Sequence, residues 1–294
     1  MADASKFTIS NYVVAYIDIL GQQEALKKFP AVLNYDTDLN LLSQAMQETY
    51  VKIQEIRNYI KTFFEDKSKQ KVGSAVSDRL SDKKRKDVER FEGEPIEFQH
   101  QGDYVVIYNK LNNYLGEPCV KPIWMMIGAI AGLLLDEFSK HTPIRGSIEI
   151  GVAADWDNFG IYGSAFFNAY KLERYVADYP RIVLGDEIFK YLSFWANNPK
   201  EDNVTKWNKE LATRCLSIIC KDRDDKLFLD FLSEKMSAFF GHVYDFSAPH
   251  ICEQVLRGSE FAKQQYEHFK GKDPKLERRY KSLFDYYDNW QQNY

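Results

Sequence analysis

Between residues 12 and 184, short β-type runs alternate with longer helical ones in the order strand, helix, strand, strand, helix, strand, helix, strand. Neither a half-apolar strand nor an amphipathic helix can bury its apolar face alone, so this order points to one sheet closed by the intervening helices. The first strand, 12–19 (YVVAYIDI), is an apolar run rich in Val, Ile and Tyr that reaches Asp18 and turns at Gly21. Residues 38–64 place Leu39, Leu42, Ala45, Met46, Tyr50, Ile53, Ile56 and Ile60 at spacings of three and four. That is a long amphipathic helix, with Asp36 or Asp38 as its cap. Residues 95–108 (PIEFQHQGDYVVIY) read as two strands with a turn at Gln101, Gly102 and Asp103. A helix over 123–139, a strand over 144–153, a helix over 164–177 and a strand over 181–184 complete the series.

The expectation is a mixed α/β (α+β) sandwich of ferredoxin-like layout, with helices on one sheet face. It occupies residues 1–190, interrupted by a charged loop at 66–92, where 66–90 hold nine Lys or Arg against five Asp or Glu. In 191–294, residues 216–220 and 227–231 read as a hairpin around KDRDD, and 251–269 and 274–287 as two helices. This part is expected to be an extension packed on the core.

Charge and composition remove several function classes. Lys and Arg number 39 against 43 Asp and Glu, a formal net charge of −4, so no cationic field holds a polyanion and nucleic acid is not an expected partner. No RNP-type aromatic motif supports an RNA-binding module either. The longest apolar run, 122–135, has 14 residues between Lys121 and Asp136, short of the roughly 18 that a membrane span needs. The N-terminal MADASKFTISNYVV lacks the pattern of an export signal. Cys119, Cys215, Cys220 and Cys252 form no Cys-x-x-Cys pair and suit buried thiols in a reducing compartment. A soluble cytoplasmic protein without a membrane partner is expected. The five histidines show no zinc-type pairing, and neither a P-loop nor a dinucleotide fingerprint occurs.

Chemistry concentrates at two strand tips. In IDILG, Gly21 lets the backbone turn closely, so the amides of residues 19–22 can face phosphates while Asp18 faces a metal. In QGDYVVIY, Asp103 stands where it can meet the same ion from the neighbouring strand. Paired carboxylates bridging Mg²⁺ or Mn²⁺ ions about 3.5–4 Å apart activate one oxygen and stabilise a leaving pyrophosphate. Either motif alone is ordinary strand-ending turn chemistry; the pair carries weight through the motifs around it.

Five motifs in order, YIDILG (16–21), QGDYVVIY (101–108), IRGSIEIG (144–151), YGSAFFNAYKLE (162–173) and YPRIVL (179–184), resemble the class III nucleotidyl cyclases. The resemblance is closer to the bacterial pyrimidine cyclases of the Pycsar anti-phage systems. It covers roughly residues 10–190 and leaves the C-terminal part unmatched. It implies a homodimer with two composite sites, each cyclising a nucleoside triphosphate to a 3′,5′-cyclic monophosphate with release of pyrophosphate. The product would act as a second messenger, switching on a separate effector protein in antiviral defence. Asp18 and Asp103 match the metal-binding aspartates, Ile19 adds a backbone carbonyl, and Gly21 and Gln22 belong to the substrate-binding turn. Two Mn²⁺ or Mg²⁺ ions per site are implied, and no protein nucleophile is required.

The departures from the family pattern bear on the base and on the transition state. Purine cyclases resemble one another in a base-reading Lys four residues before the second metal aspartate; Gln99 stands there, and the adenine-reading Asp is absent at Phe159 and Gly160, with Asp157 nearby. A smaller base suits a pocket filled by Tyr50, Phe98 or Tyr162, and the Gln99 amide can pair with uracil or, flipped, with cytosine. UTP is the expected substrate and CTP the alternative. The usual Asn and Arg pair aligns with Phe167 and Lys171, with Asn168 one step off, so Lys171 or Arg174 would neutralise the developing charge. Arg145 and Arg181 are phosphate clamps or packed cations. The imperfect helix also leaves open a catalytically silent nucleotide-binding dimer.

Overall fold

The computed structural model describes residues 7–22, 27, 29, 39–69, 95–113, 115–156, 159–240 and 244–293. Asp36, Asp38, Asp157 and the 70–92 part of the expected charged loop lie outside the described residues; 66–69 continue the preceding helix. Eight strands and eight helices occur among the described residues: β1 (Phe7–Ile19), α1 (Leu39–Lys69), β2 (Glu97–Gln101), β3 (Tyr104–Lys110), α2 (Lys121–Ser139), β4 (Ile144–Trp156), β5 (Gly160–Gly163), α3 (Ser164–Tyr175), β6 (Ile182–Leu184), α4 (Asp186–Ala196), α5 (Asn203–Ser217), β7 (Ile219–Lys221), β8 (Leu227–Leu229), α6 (Met236–Phe240), α7 (Pro249–Phe269) and α8 (Pro274–Asn293). They form a mixed α/β fold around one eight-stranded sheet, in the order β2-β3-β1-β4-β6-β8-β7, with β5 paired to the outer end of β4. All neighbours are antiparallel except β4 and β6.

The period of two along β1 sorts its residues onto two faces. Val13, Ala15, Ile17 and Ile19 enter the large core with α1 and α2, while Tyr12, Val14 and Tyr16 enter a smaller one with Ala165 and Ala169 of α3. Burial on both faces is what a continuous apolar run at the centre of a sheet predicts. The expected layout with helices on one face is therefore corrected: α3 covers part of the second face, because its small stripe of Ala165 and Ala169 packs closely against the strands.

Helix α2 is longer than its apolar run, 19 residues, and is long and apolar enough to cross a membrane. Its surface is instead buried from Pro122 to Phe138 against the sheet, α1, α5 and α7. A Cβ at Gly132 would collide with the hydroxyls of Tyr59 and Tyr244, and Tyr244 donates to the Gly128 carbonyl at 2.9 Å. The C-terminal part shares the large core: Ile188, Leu211 and Tyr287 cluster with Val13 and Phe138. Its expected hairpin is shifted, since Leu216 belongs to the last turn of α5 and the paired strands are 219–221 and 227–229. Arg181, expected as a clamp or packed cation, is a buried structural cation. Its guanidinium pairs with Asp222 and, at 2.6 Å, with Asp224 of the turn between β7 and β8.

Candidate active site

The tip of β1 is held from two sides. Ile19 N–H donates to the Asp103 carbonyl at 3.2 Å, and Leu20 N–H donates to the Pro143 carbonyl at 2.9 Å. Gly21 (φ +90°) and Gly102 (φ +69°) take the left-handed conformations that these two turns require, which a side chain would strain. The register pairs Asp18 with Tyr104 on one side and with Arg145 on the other. All three side chains therefore share the face of Tyr16 and α3.

Asp18 is largely buried, and its Oδ2 accepts from Arg145, with Nε and Nη2 each 3.2 Å away. Arg145 is itself buried and reaches two further groups: Glu173 Oε1 lies 2.7 Å from its Nε, and the Ala177 carbonyl accepts from Nη1 at 3.4 Å. Burial pushes the Asp18 carboxyl above its usual range; Arg145 pulls it down and Asp103 pushes it up. Burial likewise pushes Glu173 up to about 7, against the pull of Arg145. Two carboxylates, Asp18 and Glu173, thus converge on one buried guanidinium, and the Asp103 charge acts on Asp18 from the neighbouring turn. Above them Tyr16 stacks on Tyr104 with ring centres 4.8 Å apart and meets Tyr170 of α3 edge-on at 5.6 Å. Burial raises the Tyr16 and Tyr104 hydroxyls, so both remain neutral phenols.

The remaining sequence candidates divide. Gln99 shares the Asp18 face, and its Oε1 accepts from Ile161 N–H at 3.1 Å, tying β2 to β5. Gln22 Oε1 accepts from the Thr49 hydroxyl at 2.8 Å, which ties α1 to the turn after β1, while Tyr50 next to Thr49 is exposed. Phe98 points to the opposite face and packs on the large core under Arg57, so it is no pocket wall on the Asp18 side. Ile161 enters the small core, and alternation turns Tyr162 outward, where its exposed ring meets Phe167. On α3, Asn168 is half-buried and Lys171 exposed; Arg174 is the α3 cation that acts on the Asp18 charge.

Sequence reasoning missed the role of Glu173 and left Arg145 undecided. Glu173 carried a signal: Ala165, Ala169 and Glu173 are spaced by four, so a carboxylate lies on the buried stripe of α3. Among the described residues no cluster of three or more His, Cys, Asp or Glu forms a metal cage. An ion here would rest on two carboxylates, a backbone carbonyl and its substrate. Comparison with protein families and with curated proteins finds no match to the chain.

Proposed function

We propose that the chain is a nucleotidyl cyclase that converts UTP to 3′,5′-cyclic UMP and pyrophosphate. The observation that carries this reading is the bond between Ile19 N–H and the Asp103 carbonyl, which joins the two aspartate-bearing strand tips so that the Asp103 charge acts on Asp18. The strand order β2-β3-β1-β4, all antiparallel with α1 and α2 as the crossovers, follows the split βαβ layout and supports the same reading.

The oxygen donors Asp18, Asp103 and the Ile19 carbonyl suit Mg²⁺ or Mn²⁺, and a divalent cation would offset both the burial that chiefly raises the Asp18 carboxyl and the Asp103 charge that adds to it. Two such ions, when bound, acidify the 3′-hydroxyl and offset the charge of the leaving pyrophosphate. The chain's own residues orient. Arg145 fixes the Asp18 carboxylate, the glycine turns bring backbone amides close to the phosphates, and Arg174 or Lys171 on α3 meets the charge that develops on them. Tyr16, Tyr104 and Tyr170 form an aromatic cluster beside the carboxylates.

Exposed apolar side chains on β4, β5 and α3 (Val152, Tyr162, Phe167) support a homodimer that completes each site across the pair. The four unpaired cysteines fit a cytoplasmic enzyme. In this reading the cyclic nucleotide acts on a separate effector protein. The test is incubation of purified protein with Mn²⁺ and ATP, GTP, CTP or UTP in turn, with products identified by mass. Cyclic UMP as the main product supports the reading, cyclic CMP replaces uracil by cytosine, and intact triphosphates in every reaction reject it.

A further inference from the structure

Among the described residues, Arg145 is the buried cation that touches the candidate metal carboxylate Asp18, and what it does there follows from its other partners. Its guanidinium is also held by Glu173, 2.7 Å from the same Nε that faces Asp18, and by the Ala177 carbonyl, 3.4 Å from Nη1. Both anchors belong to α3 and the residues just after it, so the side chain is fixed by an element that does not carry the aspartates. The two contacts to Asp18 converge on Oδ2, and among the described residues Oδ1 has no hydrogen-bond partner. One oxygen is held and the other is presented. Glu173 is nearly fully buried and its Oε1 lies off the hydrogen-bond line to Arg145, so it acts through charge, offsetting a guanidinium that would otherwise repel a cation.

We propose that Arg145 and Glu173 form a charge-balanced positioning pair that orients Asp18 for a divalent cation, with Oδ2 fixed by Arg145 and Oδ1 left as the ligand. The inference rests on the reading of Asp18 as a metal ligand. It follows the general pattern in which hydrogen bonds behind a ligating carboxylate set its orientation, and losing them weakens metal binding by about 10–100-fold. A lysine would keep the charge and lose the fork that spans Asp18, Glu173 and the Ala177 carbonyl.

A purely electrostatic role predicts unchanged Mn²⁺ binding when the charge is kept by lysine or when both charges of the pair are removed together, so the two accounts separate on these variants. The experiment titrates Mn²⁺ into the full-length protein and follows the free-ion signal by electron paramagnetic resonance. Wild type is compared with Asp18→Asn, Arg145→Lys and the charge-balanced double variant Arg145→Met with Glu173→Leu, whose apolar replacement keeps the buried site packed. Circular dichroism and thermal melting verify that each variant is folded. The proposal predicts that Asp18→Asn loses the high-affinity ion, and that Arg145→Lys and the double variant weaken it by about 10–100-fold. In turnover, half-saturating Mn²⁺ rises by the same factor, while the rate at saturating Mn²⁺ changes far less. A purely structural role would lower the melting temperature and leave Mn²⁺ affinity unchanged. If Asp18→Asn loses the ion and both Arg145 variants bind it within about twofold of wild type, the positioning role is overturned and the Asp18 reading stands. If Asp18→Asn binds Mn²⁺ like wild type, the metal assignment fails and the pair's role fails with it.

Discussion

Glu137 sits in the last turn of α2 with its carboxyl almost wholly buried, no aligned hydrogen bond at either oxygen, and its nearest cation, Lys140 Nζ, 3.9 Å away. Burial pushes its pKa up from 4.5 to about 7, against the pull of Lys140. A carboxyl whose pKa is higher in the folded than in the unfolded chain favours folding while protonated. Its contribution is complete below the unfolded value near 4.5 and is lost as the pH rises through about 7. A tenfold difference in proton affinity between the folded and unfolded chain is worth about 1.4 kcal/mol, so the charged group costs the fold about 3 kcal/mol above pH 8 and about 1.4 kcal/mol at pH 5.5. Glu137→Gln keeps the shape and removes the titration. Its stability advantage over wild type should therefore grow by about 2 kcal/mol between pH 5.5 and 8 and level off beyond. Urea unfolding followed by tryptophan fluorescence at several pH values reads this directly. A difference that stays flat across the range would show that Glu137 is solvated or paired in the folded protein and would refute the reasoning.

Other perturbations act on single contacts. Gly185→Ala would drive a methyl into the Glu149 carboxylate, which accepts from Ile188 N–H at 2.9 Å at the start of α4. Losing that bond should lower stability by about 1–3 kcal/mol in urea, and an unchanged midpoint would contradict the contact. Asp222→Ala leaves buried Arg181 short of a partner and should cost about 3 kcal/mol; thermal melting measures it, and a loss within experimental error would mean Asp224 suffices. Gln99→Ala removes the acceptor for Ile161 N–H, so hydrogen exchange at that amide should accelerate while amides at the centre of β1 keep their protection.

The core was legible because its periodicities are local. The run around Val13 to Ile17 and the three-and-four spacing of Ile53, Ile56 and Ile60 state their own burial, and both lie in the large core. Helix α5 was readable in principle, since Asp202 caps it by accepting from Thr205 N–H at 2.9 Å, but its polar composition hides the period. β5 is four residues long, too short for any period to register. The two aspartates were visible as strand-ending acids beside glycines, whereas their support was not. Asp18 and Arg145 lie 127 residues apart and meet through strand register, while Glu173 joins them because α3 crosses to the second face. Register and face are decided by the whole sheet, which no local window of sequence contains. Phe98 illustrates the same limit: one position along β2 separates a pocket wall from a core residue.

The most direct test of the central claim is turnover of UTP with Mn²⁺ by wild type, Asp18→Asn and Asp103→Asn, each checked for folding by circular dichroism and each product weighed by mass spectrometry. The account predicts cyclic UMP and pyrophosphate from wild type and a loss of about a hundred- to a thousandfold in rate in both variants, the order expected when a transition-state stabilising group is removed. Wild-type rates in either folded variant would contradict a cyclase centre built on these two aspartates.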